Sequence, residues 1–345
     1  MRKLYPLEIS KVNKLTSDAV EIVFAIPDDL MSTFEFIAGQ YITISANINN
    51  EEVRRAYSLC SDPKSGEVAV GVKKVYNGKM STFLTEQVKA GDMLKVMPPK
   101  GRFVLENQKQ VVGICAGSGV TPILSMIKTI QDPSAFTLVY GNKTREDSMF
   151  LEEINEMNLR THFAYSRENV DGCFYSRINI EVLTQLAKSS SFLIADAYFI
   201  CGPGEMIDMA EAFLLENGVD KSKIHFERFT SVKKEKISTT ESEETESEDT
   251  EVVSEITVIV DGDEFEYTLS SKGESILDSA MQEGADVPFS CKGAVCCTCK
   301  AKVMEGKAVM DANYSLSEQE VAEGYILTCQ SHPITKTIVV DFDEM

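Results

Sequence analysis

The sequence predicts three domains, in the order antiparallel β-barrel, parallel α/β domain and small α+β domain. Short apolar stretches separated by turn residues fill residues 1–106, which is typical of a barrel. Residues 107–230 alternate apolar strands with helical segments, which indicates a parallel sheet covered by helices. Residues 231–254 are rich in Ser, Thr and Glu and cannot form a core, so they are expected to be an acidic flexible linker before the last domain, residues 255–345.

Turn residues and apolar periodicity predict the elements of each domain. Barrel strands are expected at 16–26, 40–46, 54–61, 67–75 and 93–97. In the second domain we expect strands at 111–115, 136–140, 161–165 and 197–201, and helices that begin near Thr121 and Glu205. In the third domain we expect a hairpin over 256–269, a helix over 275–283 that ends at Gly284, a helix opened by the capping box of Ser317 and Glu320, and a last strand over 337–340.

The charge of the chain limits its partners. Asp and Glu number 54 against 34 Lys and Arg, a formal net charge of −20, so nucleic acid and an anionic membrane are not expected as partners, whereas a basic patch on another protein is. The first residues do not lead into an apolar signal segment, and the longest apolar stretch, 111–127, is interrupted by three glycines and Pro122. Nine cysteines suit a reducing compartment. We therefore expect a cytoplasmic protein, of an oligomeric state that the sequence leaves open.

Four cysteines near the C-terminus are spaced as metal ligands. Cys291, Cys296 and Cys299 form a Cys-x4-Cys-x2-Cys run, and Cys329 follows after a long gap. This is the ligand spacing of a plant-type [2Fe–2S] cluster, in which each iron takes two thiolates. A zinc site or a set of core thiols is the alternative, although structural zinc sites generally use two close pairs and only one Cys-x2-Cys pair occurs here. Cys297, inside the same run, is at none of the ligand positions.

Arg55, Tyr57 and Ser58 follow one another on a predicted barrel strand. Together they offer a cation for phosphate groups, an aromatic face and a hydroxyl, which are the groups that a flavin requires. Strand alternation puts Ser58 on the opposite face from Tyr57, so the backbone is expected to deviate locally. An ordinary amphipathic strand would show the same pattern.

A second segment with an anion-binding pattern lies between the predicted barrel strands 67–75 and 93–97. Gly78, Ser81 and Thr82 precede the predicted helical segment 83–88. A glycine and hydroxyl side chains at the start of a helix can bind an anion, and they can also serve as simple helix caps.

Two glycine-containing segments follow predicted strands of the second domain. Gly117, Gly119 and Thr121 lie in a Gly-Ser-Gly-Val-Thr-Pro segment between a strand and a helix, where glycines let a dinucleotide approach the backbone. Gly202 and Pro203 lie in a Cys-Gly-Pro segment after another strand. Together the two segments predict a dinucleotide site.

Ser166 and Arg167 end a predicted strand of the same domain. A hydroxyl beside a guanidinium can hold the 2′-phosphate of NADP, and Arg suits a phosphate because its fork of donors is bidentate. A solvated strand end is the alternative interpretation.

The first two domains resemble the ferredoxin-NADP⁺ reductase superfamily, and the third resembles the β-grasp fold of plant-type ferredoxins. The Arg-x-Tyr-Ser run, with the flanking segments 36–41 and 99–103, carries the first resemblance, and the cysteine run carries the second. The resemblance implies that Arg55 contacts the flavin phosphates, that Tyr57 packs on the isoalloxazine and that Ser58 forms a hydrogen bond near N5. It also implies a place at the flavin pyrophosphate for Gly78, Ser81 and Thr82.

The resemblance assigns the nucleotide site as well. It implies that the segment of Cys201, Gly202 and Pro203 lies beside the nicotinamide, and that the ending of Glu227 and Phe229 lies beside the flavin. In plant-type members a Ser-Arg pair and a later tyrosine bind the 2′-phosphate, and the matching residues are Ser166, Arg167 and Tyr175, although the lysine that usually precedes this tyrosine is Cys173 here. The catalytic residues implied are Ser58, Cys201 and Glu227. Phe229 could instead be a core residue.

The function implied is that of a reductase of the oxygenase-reductase type. NAD(P)H would reduce a flavin, and the [2Fe–2S] cluster would deliver electrons to a partner protein such as a di-iron oxygenase. FAD is expected rather than FMN, which some reductases of the same domain order use, and NADPH is expected with NADH possible. The alternatives are a reductase that serves a desaturase or a hybrid-cluster protein, and a non-catalytic redox sensor or electron carrier.

Overall fold

The computed structural model describes residues 3–229 and 251–344. The chain divides into two compact units, residues 2–229 and 230–345. The predicted linker lies outside the described residues up to residue 250, and its last two residues, Val253 and Ser254, belong to a strand. Within the described ranges, no helix is both long enough and apolar enough to cross a membrane.

A closed antiparallel barrel forms the first part of the larger unit. Its strands are β1 Tyr5–Thr16, β2 Ala19–Ala25, β3 Tyr41–Ile48, β4 Glu51–Ser58, β5 Val68–Lys73 and β6 Met93–Lys100, and helix α1, Lys79–Glu86, follows β5. The strand order is β4-β3-β6-β1-β2-β5. A bridge between Leu59 and Val70 joins the two edges of this sheet, which closes the barrel. The predicted barrel is confirmed.

Strand β1 is the element of the barrel that the sequence did not predict. Leu7 and Ile9 alternate with exposed residues and are completely buried. Beyond Ile9 the pairing with β2 is shifted twice, between Ile9 and Lys11 and between Lys14 and Thr16. Each bulge breaks the period-two pattern from which a strand is predicted.

Five parallel strands form the second sheet of the same unit. They are β7 Val111–Ala116, β8 Phe136–Asn142, β9 Arg160–Tyr165, β10 Ala197–Gly202 and β11 Ile224–Arg228, with helices α2 Val120–Thr129, α3 Leu151–Glu156, α4 Ile180–Ala187, α5 Ser190–Leu193 and α6 Gly204–Glu216. The order is β11-β10-β7-β8-β9, so the direction of progression reverses between β7 and β10. Ligands of open parallel sheets bind at the carboxyl ends of the strands at such a reversal.

One apolar core joins the barrel to the parallel sheet. The ring of Phe103 packs edge-to-face on that of Phe199, with 5.3 Å between the ring centroids. From α2, the Ser125 hydroxyl donates a 2.7 Å hydrogen bond to the Ser61 carbonyl, and Lys128 Nζ donates a 2.9 Å bond to the Cys60 carbonyl. These bonds hold the chain just after β4 against the parallel sheet, and each buried bond contributes about 1 kcal/mol.

The smaller unit has the mixed sheet of a β-grasp fold. Its strands are β12 Val253–Val260, β13 Asp263–Ser270, β14 Lys300–Glu305, β15 Ala308–Met310, β16 Tyr325–Leu327, β17 Ser331–Pro333 and β18 Thr337–Asp341, and its helices are α7 Ile276–Gln282 and α8 Glu318–Ala322. Five strands form one sheet in the order β13-β12-β18-β14-β16, with β12 and β18 parallel, and β15 pairs with β17. The predicted α+β class is confirmed.

The local signals in this unit led to the correct elements. Asp261 and Gly262, with φ of 53° and 82°, form the turn between β12 and β13, as a two-residue hairpin requires. Ser317 accepts the amide hydrogen of Glu320 at 3.2 Å, and Glu320 accepts that of Ser317 at 3.0 Å. The predicted capping box at the start of α8 is therefore present.

Candidate redox sites

Three predicted catalytic residues meet where the barrel contacts the parallel sheet. Ser58, the last residue of β4, is buried, and its hydroxyl donates a 3.1 Å hydrogen bond to Glu227 Oε2 on β11. Glu227 pairs in register with Cys201 on β10, which pairs with Cys115 on β7. A hydroxyl, a carboxylate and a thiol therefore lie together at the carboxyl side of the sheet, close to the reversal point.

The thiol of this group is neutral at physiological pH. Burial raises the pKa of Cys201 well above its ordinary value, and the negative charge of Glu227 raises it further. A neutral thiol can fill space and donate a weak hydrogen bond, but it is not the thiolate that acts as a nucleophile. The arrangement supports a positioning or polar role for Cys201 rather than covalent catalysis.

Strand β4 presents the other predicted flavin residues. Arg55 is exposed, with Nη1 donating to the Arg54 carbonyl at 2.6 Å, and Tyr57 is half-buried. Burial is the main cause that raises the pKa of Tyr57, so the phenol stays neutral. The pairing of β4 with β3 is regular as far as Ser58, and beyond it the Leu59 amide still donates to the Gln40 carbonyl at 2.9 Å while Leu59 also bridges to β5. The local deviation that the sequence led us to expect is therefore not seen in the register of β4.

Helix α1 begins earlier than the sequence predicted. It spans Lys79–Glu86, so Ser81 and Thr82 lie in its first turn and not in a loop before a helix at 83–88. Gly78 is the residue before the helix, and the Ser81 hydroxyl accepts the Val75 amide hydrogen at 3.0 Å. That hydroxyl closes the turn, so the backbone amides of the first helical turn are the donors that can meet an anion.

The glycines at the carboxyl ends of β7 and β10 make room in the crevice. A Cβ atom on Gly119 would lie 2.1 Å from the Cys201 carbonyl oxygen, so only glycine permits this approach of α2 to β10. Gly117 has φ of 57° and open space where its Cβ would be. The Thr121 side chain is buried, and its hydroxyl donates to the Ser118 carbonyl at 3.0 Å. Gly202 and Pro203 directly precede α6.

The predicted 2′-phosphate residues lie at the outer edge of the same sheet. The Ser166 amide and hydroxyl donate to the Asn142 carbonyl at 3.0 and 3.4 Å, and Arg167 and Tyr175 are exposed. Arg145, in the loop after β8, lies at this edge too, because its amide donates to Glu168 Oε2 at 2.7 Å. Arg145 was not among the residues predicted from the sequence. The sequence did contain a signal that could have identified it, which is a basic residue just beyond the carboxyl end of a predicted parallel strand.

The four predicted cluster cysteines form two pairs. The thiols of Cys291 and Cys296 interact with each other, and so do those of Cys299 and Cys329. Hydrogen bonding from Cys291 lowers the pKa of Cys296 to about 6, while the same bond raises the pKa of Cys291. Two sulfur pairs, three of the sulfurs from one loop and the fourth from the turn after β16, match a cluster in which two irons each take two thiolates.

The pairing argues against a single zinc ion. A structural zinc site would bring four ligands to one point.

The loop that carries three of the cysteines turns its backbone toward the sulfurs. Lys292, Ala294 and Cys297 have φ of 50°, 61° and 49°, whereas Gly293 is not in this left-handed region. The Gly293 amide donates to Cys291 Sγ at 3.3 Å. Backbone donors around the sulfurs stabilise the negative charge that thiolates and sulfides carry. The residues present therefore fit the cluster.

Ser290 is a further residue beside this loop that was not predicted from the sequence. Its side chain is 1 % exposed, and its hydroxyl has no hydrogen-bond partner among the described residues. A buried hydroxyl without a partner costs about 1–3 kcal/mol. Because Ser290 directly precedes Cys291, a cluster sulfur is the acceptor that would remove this cost.

Replacing Ser290 with alanine should therefore make the cluster harder to reduce. A hydrogen bond to sulfur stabilises the more negative reduced form, so its loss is expected to shift the midpoint potential to a more negative value. A redox titration followed by electron paramagnetic resonance measures this shift. Ser331→Ala is the control, because that buried hydroxyl already donates to the Leu327 carbonyl at 2.8 Å. An unchanged potential in Ser290→Ala would show that the hydroxyl does not face the cluster.

A flavin barrel, a nucleotide-binding parallel sheet and a ferredoxin fold with four paired cysteines define an NAD(P)H-dependent flavin and iron–sulfur reductase. Family models agree with each part: an oxidoreductase FAD-binding domain matches residues 6–105, an oxidoreductase NAD-binding domain 114–212 and a 2Fe-2S iron-sulfur cluster binding domain 258–333. The chain belongs to the ferredoxin-NADP⁺ reductase superfamily, in the group that carries a C-terminal [2Fe–2S] ferredoxin domain.

Relatives over the full length support this placement. The chain is 40% identical to one of the subunits of 1,2-phenylacetyl-CoA epoxidase from Escherichia coli K12, with 99% of both chains covered. It is 30% identical to the ferredoxin reductase component of 3-ketosteroid-9-alpha-monooxygenase from Rhodococcus rhodochrous, with 97% of this chain and 96% of the relative covered. The solved structure of phthalate dioxygenase reductase has the same fold, with a TM-score of 0.62, 22% identity and 98% of each chain covered.

Proposed function

We propose that this reductase is the electron-donating component of a multicomponent oxygenase, of the kind that includes phenylacetyl-CoA epoxygenase. The observation that carries the proposal is that one chain contains both the Ser58–Glu227 pair and two thiol pairs in a ferredoxin fold. Its full-length relatives among oxygenase reductases support the same function. We also propose a cytoplasmic location, because a chain with nine cysteines, four of them proposed as cluster ligands, suits a reducing compartment.

The two bound groups would supply complementary chemistry: the flavin takes up two electrons as a hydride, and the cluster passes electrons on singly. On this proposal, Arg55 and the amides at the start of α1 bind the flavin phosphates, and Tyr57 packs on the ring. Ser58 holds a hydrogen bond at the reacting edge of the ring, and Glu227 orients the Ser58 hydroxyl. Phe229, 38% exposed directly after β11, would cover the ring and give way to the nicotinamide. Cys291, Cys296, Cys299 and Cys329 are the cluster ligands.

Analysis of the purified protein tests the cofactor assignment directly. We expect one FAD and two irons per chain after anaerobic preparation, with acid-labile sulfide equal to the iron. About four irons per chain, or zinc in place of iron, would contradict the assignment of the cysteines. Steady reduction of a purified oxygenase component, compared with desaturase and hybrid-cluster proteins, tests the partner.

We propose that NADPH is the preferred coenzyme and that Ser166, Arg167 and Tyr175 bind its 2′-phosphate. Two observations support this: the guanidinium of Arg167 is exposed, and the Ser166 hydroxyl lies at the same carboxyl edge of the sheet. NADH lacks the phosphate and would not use these contacts.

The substitution Arg167→Ala is therefore expected to raise KM for NADPH far more than KM for NADH. Loss of a charge-assisted contact costs about 1.5–3 kcal/mol, a factor of roughly 10–150 in kcat/KM. Steady-state kinetics with ferricyanide as acceptor measure both coenzymes. Arg160→Ala, which removes another exposed arginine of the same domain at the amino-terminal end of β9, is the matched control. Equal effects of Arg167→Ala on the two coenzymes would refute the assignment.

A further inference from the structure

The loop after β8 offers a second guanidinium at the edge where Arg167 lies. Arg145 and Arg167 are both exposed, and no hydrogen bond or ion pair engages either guanidinium within residues 3–229 and 251–344. In a chain with 20 more acidic than basic side chains, carboxylates are plentiful as partners. Two arginines left unpaired at one edge of the sheet are therefore a notable feature of this surface.

The backbone holds these two arginines on adjoining segments. The Arg167 amide donates to the Lys143 carbonyl at 2.9 Å, which continues the pairing of β8 and β9 beyond the ends of both strands. In return, the Arg145 amide donates to Glu168 Oε2 at 2.7 Å. The loop of Arg145 is thus fastened to the segment of Arg167 from both sides, which limits the distance that either side chain has to cover.

The charges around Arg145 locate its guanidinium. Burial is the largest cause that raises the pKa of Tyr165 and of the Cys173 thiol, and the positive charge of Arg145 opposes the rise in both. Arg145 therefore lies near the segments of Tyr165 and Cys173, which flank Ser166 and Tyr175 in the chain. Glu168 also acts on these two groups, in the opposite sense. The Glu168 carboxylate would repel a bound anion at this edge. Its hydrogen bond with the Arg145 amide holds the carboxylate against the Arg145 loop.

We propose that Arg145 is a second binding residue for the 2′-phosphate of the coenzyme and that, with Arg167, it sets the preference for NADPH over NADH. The inference depends on the coenzyme preference proposed above. A phosphate monoester carries close to two negative charges near neutral pH and presents three acceptor oxygens, so a second arginine fork adds both charge and donors. It also outweighs the single carboxylate of Glu168. Glu168 is then a positioning residue that holds the Arg145 loop.

Binding of nucleotide fragments to the holoenzyme tests this inference without turnover. The probes are 2′,5′-ADP, which carries the 2′-phosphate, and 5′-AMP, which does not, with affinities measured by calorimetry. In Arg145→Ala we expect the Kd for 2′,5′-ADP to rise about tenfold or more and the Kd for 5′-AMP to stay unchanged. Arg160→Ala, which removes an exposed arginine at the opposite, amino-terminal end of β9, is expected to change either affinity less than about twofold.

Two further variants make the outcome decisive. Arg145→Lys keeps the charge without the fork and should retain part of the affinity for 2′,5′-ADP. Cys173→Lys in the Arg145→Ala background returns a cation from the neighbouring segment and should recover it. If Arg145→Ala binds 2′,5′-ADP as tightly as the wild type while Arg167→Ala does not, the role of Arg145 is wrong and the coenzyme proposal stands. If the wild type binds the two fragments equally, the coenzyme proposal fails, and the role of Arg145 fails with it.

Discussion

Cys299→Ser in the full chain is expected to abolish electron transfer to one-electron protein acceptors while NADPH oxidation by ferricyanide stays near the wild-type rate. Changes to groups that only support metal ligands cost about 10–100-fold in metal affinity or activity. Loss of a proposed ligand should therefore lower reduction of cytochrome c or of an oxygenase at least about 100-fold. The ferricyanide reaction should persist because it needs the nucleotide crevice and the flavin site, which lie in the other compact unit.

Cys297→Ser is the matched control for this experiment. Cys297 lies in the same loop, but its thiol donates to the Ser315 carbonyl at 3.3 Å and belongs to neither of the two sulfur pairs. The control should keep its iron and reduce protein acceptors normally. A shortened chain of residues 1–229 should behave as Cys299→Ser does, because residues 2–229 form their own compact unit. Full reduction of the native partner by either cluster-free protein would mean that electrons leave from the flavin.

The features that the sequence predicted well are those encoded within a short stretch. The cysteine run, the two glycine segments and the Asp261–Gly262 turn depend on residue types at fixed local spacing. The turn lies where it was predicted, and each glycine segment joins a predicted strand to a helix, whereas the cysteine run as a set of cluster ligands stays a prediction. Strand β1 was missed because two bulges break its alternation after Ile9. Helix α1 was placed too late because Gly78 was taken with the following residues as a loop, although the helix begins at the next residue.

The features that the sequence could not predict depend on contacts between distant residues. Ser58 and Glu227 are 169 positions apart, and their hydrogen bond results from the closure of the barrel against the parallel sheet. Each residue was predicted separately, from the motif around it and the family resemblance. Neither motif encodes the contact between the two residues. The same holds for Ser290 and Arg145, whose significance comes from burial without a partner in one case and from neighbouring loops in the other.

The Ser58–Glu227 contact leads to the second large expected effect. Ser58→Ala should slow reduction of the bound flavin by NADPH about 100-fold or more, in line with the effect of removing a positioned proton-transfer or hydrogen-bonding group. The apparent Kd for NADPH should change little, because the hydroxyl is expected to contact the reacting edge of the ring rather than the coenzyme's phosphates. Anaerobic stopped-flow spectroscopy at several NADPH concentrations separates the rate from the binding constant.

The variant Glu227→Gln distinguishes the hydrogen bond from the charge at this position. Its amide oxygen can still accept from the Ser58 hydroxyl, which lies 3.1 Å from Glu227 Oε2 in the native protein, but the negative charge is gone. If orientation of the hydroxyl is the main role of Glu227, this variant should lose less than Ser58→Ala does. Ser61→Ala is the control, since that hydroxyl, three residues along the chain, donates to the Glu67 carbonyl at 2.8 Å. Wild-type rates in Ser58→Ala, with full flavin content, would place the reacting edge of the ring away from β4 and would overturn the proposed catalytic site.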